Sequence, residues 1–235
     1  MRMKFKPWAR EELETSPFYI DKPELYKNNW KSAFENENNP IYLELGCGKG
    51  YFIANLCKDN PNINYIAIDL VDAMLGMAKR NVEAAFGIRQ STIKEEIDNE
   101  IEKQKIVKNL KLTRYDISRI SDIIGEKDNI QRIYINFCNP WPRGKHHKKR
   151  LTHERQLEQY KKFLKGYIFF KTDDDNLFNE SIASFNNSGY VIEKITYDLA
   201  SENLFWNSEE NVETEHEKMF KDQGIKIKAL IAKVK

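Results

Sequence analysis

Five short apolar runs, Ile41–Leu45, Tyr65–Ile68, Leu110–Tyr115, Arg132–Phe137 and Gly166–Lys171, punctuate this chain, and stretches of helical periodicity separate most of them. Strands covered on both faces read as continuous apolar runs, and intervening helices supply the crossovers that parallel pairing needs. The pattern predicts an α/β fold, a mostly parallel sheet with helices on both faces. Helices are predicted over Tyr51–Lys58, Asp72–Phe86, Thr152–Leu164, Asp175–Asn187 and Glu213–Lys221, with Thr152 as the expected cap of the third. Tyr190–Tyr197 and Ile225–Val234 complete a predicted seven-stranded sheet. These last two follow the alternation less well and are expected to form an antiparallel edge.

Two segments stand apart. Residues 1–39 carry Arg2, Lys4, Lys6 and Arg10 around Trp8 and then a polar run, and read as an arm before a core domain at 40–235. Residues 89–108 are mostly charged, with Ile93, Ile97 and Ile101 four apart, which predicts a narrow amphipathic helix inserted in that domain. The 235 residues suffice for one good-sized core. Lys and Arg number 38 against 36 Asp and Glu, so a polyanion site must come from local clustering. No apolar run approaches the roughly 20 residues that span a bilayer, and no signal-peptide pattern is present. Three cysteines, Cys47, Cys57 and Cys138, form no metal-ligand spacing and leave one over in any disulfide scheme. The expected home is the reducing cytoplasm, with no membrane contact, no metal and no obligate protein partner evident. The sequence does not distinguish monomer from homodimer.

The chemistry begins where Ile41-Tyr42-Leu43-Glu44-Leu45 runs into Gly46-Cys47-Gly48-Lys49-Gly50. Glycine lets the chain turn sharply and lets a ligand touch its backbone. Asp69, roughly twenty residues on and just past the second strand, can accept from both hydroxyls of a ribose. The phosphate-loop pattern fails, because Gly-Lys is followed by Gly50 and Tyr51; the dinucleotide pattern fails because Gly50 falls one residue early. Glu44 would repel a pyrophosphate but suits a cationic sulfonium ligand or its amino group. This favours S-adenosylmethionine. Asp116, after the third strand, is placed either to meet the adenine amino group or to cap the turn that follows.

A second constellation follows the fourth strand. Asn139-Pro140-Trp141-Pro142 holds an amide and a ring between prolines, and Arg143-Gly144-Lys145-His146-His147-Lys148-Lys149-Arg150 places five Lys/Arg and two His behind them. Proline suits neither helix interior nor central strand, so this is a rigid loop at a strand's carboxyl end. A stacking ring, a fixed amide and a cationic apron suit a nucleobase attached to phosphates.

On these residues the chain resembles the bacterial tRNA (guanine-N7)-methyltransferases. The likeness runs from Met1-Arg2-Met3 and Lys6-Pro7-Trp8-Ala9 through the glycine turn, the Pro-Trp-Pro loop, His146, Lys149-Arg150-Leu151-Thr152 and Phe170-Lys171-Thr172-Asp173 to Thr214-Glu215-His216-Glu217. The glycine turn is shared by many methyltransferases; the loop with its basic continuation and Phe-Lys-Thr-Asp are far more specific. The resemblance implies a class I, Rossmann-like methyltransferase fold, S-adenosylmethionine as donor, and a guanine in the variable loop of tRNA as acceptor. It implies that Glu44, Gly46, Gly48, Asp69, Asp116 and Asn139 contact the cofactor, with Asn139 also in the catalytic position. Arg143, Asp173, Thr214, Glu215, His216 and Glu217 would contact the guanosine.

Three features depart from the family pattern. Asn139 replaces the usual Asp of Asp-Pro-Trp, His216 replaces the tyrosine of Thr-x-Tyr-Glu, and the 89–108 insertion has no counterpart in shorter members. Asn139 leaves two alternatives open. One is an exocyclic amino methyltransferase of adenine or cytosine, whose Asn-Pro-Pro-aromatic loop is similar; the other is a catalytically weakened tRNA-binding relative.

Overall fold

The computed structural model describes residues 5–88, 107–202 and 212–235. The strands are β1 (Tyr19–Ile20), β2 (Ile41–Leu45), β3 (Asn64–Asp69), β4 (Leu110–Arg114), β5 (Ile130–Asn136), β6 (Leu164–Thr172), β7 (Tyr190–Thr196) and β8 (Lys228–Val234). They form one sheet in the order β1-β4-β3-β2-β5-β6-β8-β7. Pairing is parallel from β1 to β6, whereas β8 runs antiparallel to both β6 and β7. The helices are α1 (Pro7–Glu14), α2 (Tyr51–Asp59), α3 (Asp72–Ala85), α4 (Glu154–Tyr160), α5 (Asp175–Asn187) and α6 (Glu215–Asp222).

Alternation along the strands divides the core in two. Tyr65, Ala67, Leu112, Tyr134 and Phe169 face Phe52, Leu56, Leu75 and Val82 of α2 and α3. Leu43, Ile66, Ile133, Ile168 and Phe170 face Trp30, Leu157, Leu177 and Phe185 on the other side. A sheet buried on both faces requires the continuous apolar runs seen in the sequence.

The sheet has eight strands where seven were predicted. The extra strand, β1, lies within the 1–39 segment and is too short for any period to register. It pairs with β4, and Thr113 Oγ1 donates to Ile20 O at 2.7 Å. The same segment docks α1 on α3 so closely that a Cβ on Gly76 would lie 2.7 Å from Ala9 Cβ. Arg10 is taken up by Glu14, Asp21 and the Tyr19 hydroxyl. Arg2 and Lys4, and the predicted helix over 89–108 save its last two residues, lie outside the described residues.

The antiparallel strand lies one place in from the edge. Ala229-Leu230-Ile231-Ala232 is buried on both faces, whereas β7 carries exposed Val191, Glu193 and Lys194 and forms the rim. The strand predicted from Ile225 begins instead at Lys228 and lies inside the sheet. The third predicted helix is also shorter. Its cap is His153, whose Nδ1 accepts from Arg155 N, while Thr152 is buried against the Ser181 hydroxyl at 2.6 Å.

Candidate active site at the carboxyl ends of the strands

Strand order reverses beside β2: β3 and β4 lie on one flank, β5 and β6 on the other. In open α/β sheets the crevice outside this reversal is where ligands bind. Glu44 of β2 and Asn136 of β5 meet across it, Asn136 Nδ2 donating to Glu44 Oε1 at 3.2 Å. Glu44 is only 2% exposed, and its other oxygen, Oε2, is buried without a hydrogen-bond partner. Burial pushes the Glu44 carboxyl up to about 8, against the pull of the Asn136 amide and the Lys171 charge. A buried acceptor left unpaired is costly, so this oxygen calls for a donor, above all a cationic one.

The glycine turn lies directly above. Gly46, Gly48 and Gly50 have φ of 78°, 54° and 69°, a left-handed region that disfavours side chains. A Cβ on Gly50 would sit 2.6 Å from Ala78 Cβ, whereas one on Gly48 would meet nothing within 4 Å. Gly50 thus serves the packing of α2 on α3, and Gly48 leaves backbone open to a ligand. Gly48 N donates to Asp69 Oδ2 at 3.0 Å and Val71 N to Oδ1 at 2.9 Å, fixing the carboxylate at the β3 end. Burial raises the Asp69 pKa, and these amides oppose the rise. Asp116, beyond β4, is exposed and caps a short 3-10 turn through Ser118 N. Cys47 within the turn is buried, which lifts its thiol far above the range of a nucleophile.

After β5 the chain is strained. Phe137 and Trp141 have φ of 49° and 43°, each costing on the order of 1–3 kcal/mol. Several contacts hold them. Phe137 N donates to Lys171 O, Trp141 N donates to Asn139 Oδ1 at 2.9 Å, and Arg150 Nε donates to Pro140 O at 2.6 Å. Arg150, expected among the phosphate-binding cations, is 4% exposed and paired with Glu180; it clamps the loop instead. Arg143, Lys145, Lys148 and Lys149 remain exposed, Lys149 lying 4.9 Å over the Trp141 ring. Asn139 is exposed, its side-chain oxygen accepting one bond within the turn and keeping a lone pair free.

The C-terminal segment closes the crevice. Thr214 and Glu217 form a capping box at the start of α6, and Glu217 Oε2 also meets Lys171 Nζ at 2.6 Å. Lys171 is 1% exposed; desolvation lowers its pKa while Glu217 and Glu44 pull it up. Glu215 reaches Lys49 of the glycine turn at 3.1 Å, and His216 stacks on Phe137 with centroids 5.5 Å apart. Asp174 caps α5, which leaves the half-buried Asp173 carboxylate with no partner among the described residues.

The sequence-predicted residues therefore gather at neighbouring strand ends. Glu44, Gly46, Gly48 and Asp69 line one flank, the Asn139 loop and Asp173 stand on the other, and 214–217 lie over both. Asn136, Lys171 and Phe137 escaped sequence reasoning, though a polar Asn ending an otherwise apolar strand was a visible signal. Among the described residues no three His, Cys, Asp or Glu side chains are grouped to hold a metal, and no helix is long and apolar enough to cross a membrane.

Comparison with known proteins agrees with this arrangement. A family model described as "Putative methyltransferase" matches residues 38–230. A Clostridium beijerinckii protein named tRNA (guanine-N(7)-)-methyltransferase is 55% identical, over 99% of this chain and 98% of its own length. A protein of that name from Acetivibrio thermocellus is 44% identical over the full length of both. Among solved structures, an antibiotic related methyltransferase shares the fold with a TM-score of 0.53 at 13% identity, covering 99% of this chain and 96% of that one.

Proposed function

The chain belongs to the tRNA (guanine-N7)-methyltransferase family, and from that membership we propose that its strand-end crevice directs the methyl group of S-adenosylmethionine to N7 of a guanine in the variable loop of tRNA. The observation that carries the reading is the orphaned Oε2 of Glu44 beneath an open glycine turn. S-adenosylmethionine supplies a transferable methyl on a cationic sulfur, together with an ammonium group and a ribose. Glu44 Oε2 suits the ammonium, and Asp69 retains lone pairs for ribose hydroxyls. Gly46 and Gly48 offer close backbone approach, exposed Asp116 suits the adenine amino group, and Asn139 borders the opposite wall.

Guanine N7 carries an in-plane lone pair and no proton at neutral pH, so the acceptor needs no general base. What the chain must supply is alignment, for which good positioning contributes roughly 7–11 kcal/mol. The strained loop from Phe137 to Trp141, fixed by Arg150, is a rigid shelf for that purpose. The Asp173 carboxylate, without a partner among the described residues, suits the donors on the guanine's Watson–Crick edge. Arg143, Glu215 and His216 border the same space, while Thr214 and Glu217 hold the segment in place. Lys145, Lys148 and Lys149 supply charge for phosphates. Pro142 in place of the aromatic residue of the exocyclic amino loop, and the basic run behind it, argue against the exocyclic amino reading.

The test is product identity. Incubation with bulk unmodified tRNA and methyl-labelled S-adenosylmethionine is expected to place the label in 7-methylguanosine. Label in a methylated adenine or cytosine would overturn the assignment.

A further inference from the structure

A cleft of about 640 Å³ opens at the amino ends of the strands, where β5 and β6 begin at paired Ile130 and Leu164. It is lined by Lys27, Lys127, Lys161, Lys162 and Lys165. In a chain whose net charge is only +2, five lysines around one concavity form a local concentration of positive charge. Lys161 lies 2.8 Å from Glu158, and Lys165 lies 4.0 Å from Glu126. Lys27, Lys127 and Lys162 have no carboxylate partner among the described residues.

The wall between these lysines is built rather than incidental. Buried Asp128 accepts from Asn28 N and Trp30 N, each at 2.9 Å, and from Gly125 N at 2.7 Å. Asn28 is held in the left-handed region with φ of 65°, and its Oδ1 accepts from Lys127 N at 3.2 Å. Gly125 packs so tightly here that a Cβ would lie 2.1 Å from that oxygen. The backbones of Lys27 and Lys127, neighbours of Asn28 and Asp128, are thereby tied to one frame, and both side chains line the cleft. Ser121 Oγ also lines the cleft, buried and without a hydrogen-bond partner.

Lysine is a point charge suited to phosphate, and the absence of any arginine fork from this lining argues against bidentate capture of one small anion. The cleft is linked along the chain to the loop beside the crevice through a helix on which exposed Arg155 stands among exposed Glu154 and Glu158. From Arg143–Lys149 the chain passes through this helix, α4, straight into Lys161 and Lys162. The two ends lie roughly 20 Å apart, the length of seven residues of strand. We propose that this cleft is a second landing for the sugar–phosphate backbone of the RNA substrate, remote from the guanine that is methylated. The inference rests on tRNA as that substrate.

The test neutralises the unpaired lysines together, Lys27→Gln, Lys127→Gln and Lys162→Gln, whose exposed side chains make no hydrogen bond or ion pair among the described residues. KM is measured between about 50 and 200 mM KCl, a range over which phosphate contacts are strongly salt-sensitive. The substrates are unmodified tRNA and a short stem-loop that carries the target guanine but cannot reach the cleft. For tRNA the triple variant is expected to raise KM about tenfold or more and to flatten the log–log salt slope by about 2–3, near 0.9 per lost phosphate contact. KM for the stem-loop and affinity for S-adenosylhomocysteine should not change. An unchanged tRNA KM and slope, or equal losses on both RNAs, would overturn the proposal. So would tripolyphosphate binding that the triple variant abolishes while tRNA is handled as before, which would mark a small-anion site. If the natural chain makes no 7-methylguanosine on either RNA, the activity reading fails separately, and filter-binding of tRNA to the two proteins still decides the cleft.

Discussion

Replacing Glu44 by Gln separates two effects that meet at one atom. In the free protein, burial holds this carboxyl near 8, whereas in the unfolded chain it ionises near 4.5. Between those values the folded state keeps a proton that the unfolded state has lost, so stability falls as pH rises through the window and levels off above it. Denaturant unfolding at pH 5, 7 and 9 is expected to show this decline in the natural chain, with a smaller decline in Glu44→Gln. Equal slopes would mean that Glu44 ionises freely. The variant should also lose affinity for S-adenosylmethionine, and the natural chain should release protons on binding it at pH 7. Asn139 makes a milder demand. Its side-chain oxygen accepts from Trp141 N, a bond that Asp could make equally. A charge-assisted hydrogen bond contributes roughly 1.5–3 kcal/mol against about 1 for a neutral one. Asn139→Asp is therefore expected to raise kcat by no more than about 30-fold over a measurable natural rate. No transfer at all by the natural chain, with activity restored in the mutant, would identify a binding relative that has lost turnover.

Helix α6 reaches the crevice through one buried ion pair. Lys171 is enclosed on β6, and Glu217 serves both as its partner and as half of the capping box. Removing one member of such a pair leaves a buried charge uncompensated, which typically destabilises by about 3–5 kcal/mol. Lys171→Met is expected to fall in that range by urea denaturation and to raise KM for tRNA more than KM for S-adenosylmethionine, because the 214–217 segment loses its seat. Unchanged stability would show that the pair is not formed in solution. This scale also marks the limit of what the sequence could disclose. The glycine turn, Asp69 and the central strands were legible because each depends on neighbours along the chain. Asn136 and Lys171 were not, because their roles arise from cross-strand register: the two are paired residues on β5 and β6, far apart in sequence. Arg150 was misread for a related reason. A run of cations looks uniform until the fold turns one of them inward onto Pro140 and Glu180.

At the scale of the whole molecule, the two ends of the strands carry different features. The carboxyl ends carry the crevice, and the reversal of strand order beside β2 opens it; the amino ends carry the lysine cleft. The first end was readable in advance, because a strand, a glycine turn and an acid after the next strand fix each other's places. The inward position of β8 was not, since an apolar run shows that a strand is buried without showing between which neighbours. The account stands on Glu44 and Asp69 holding one ligand across the strand ends. A crystal structure with S-adenosylhomocysteine bound tests this most directly. The expected result is its amino group within hydrogen-bond distance of Glu44 Oε2, its ribose hydroxyls on Asp69 and its sulfur facing the Asn139 loop. A ligand seated elsewhere, with Glu44 Oε2 still unpaired, would contradict it.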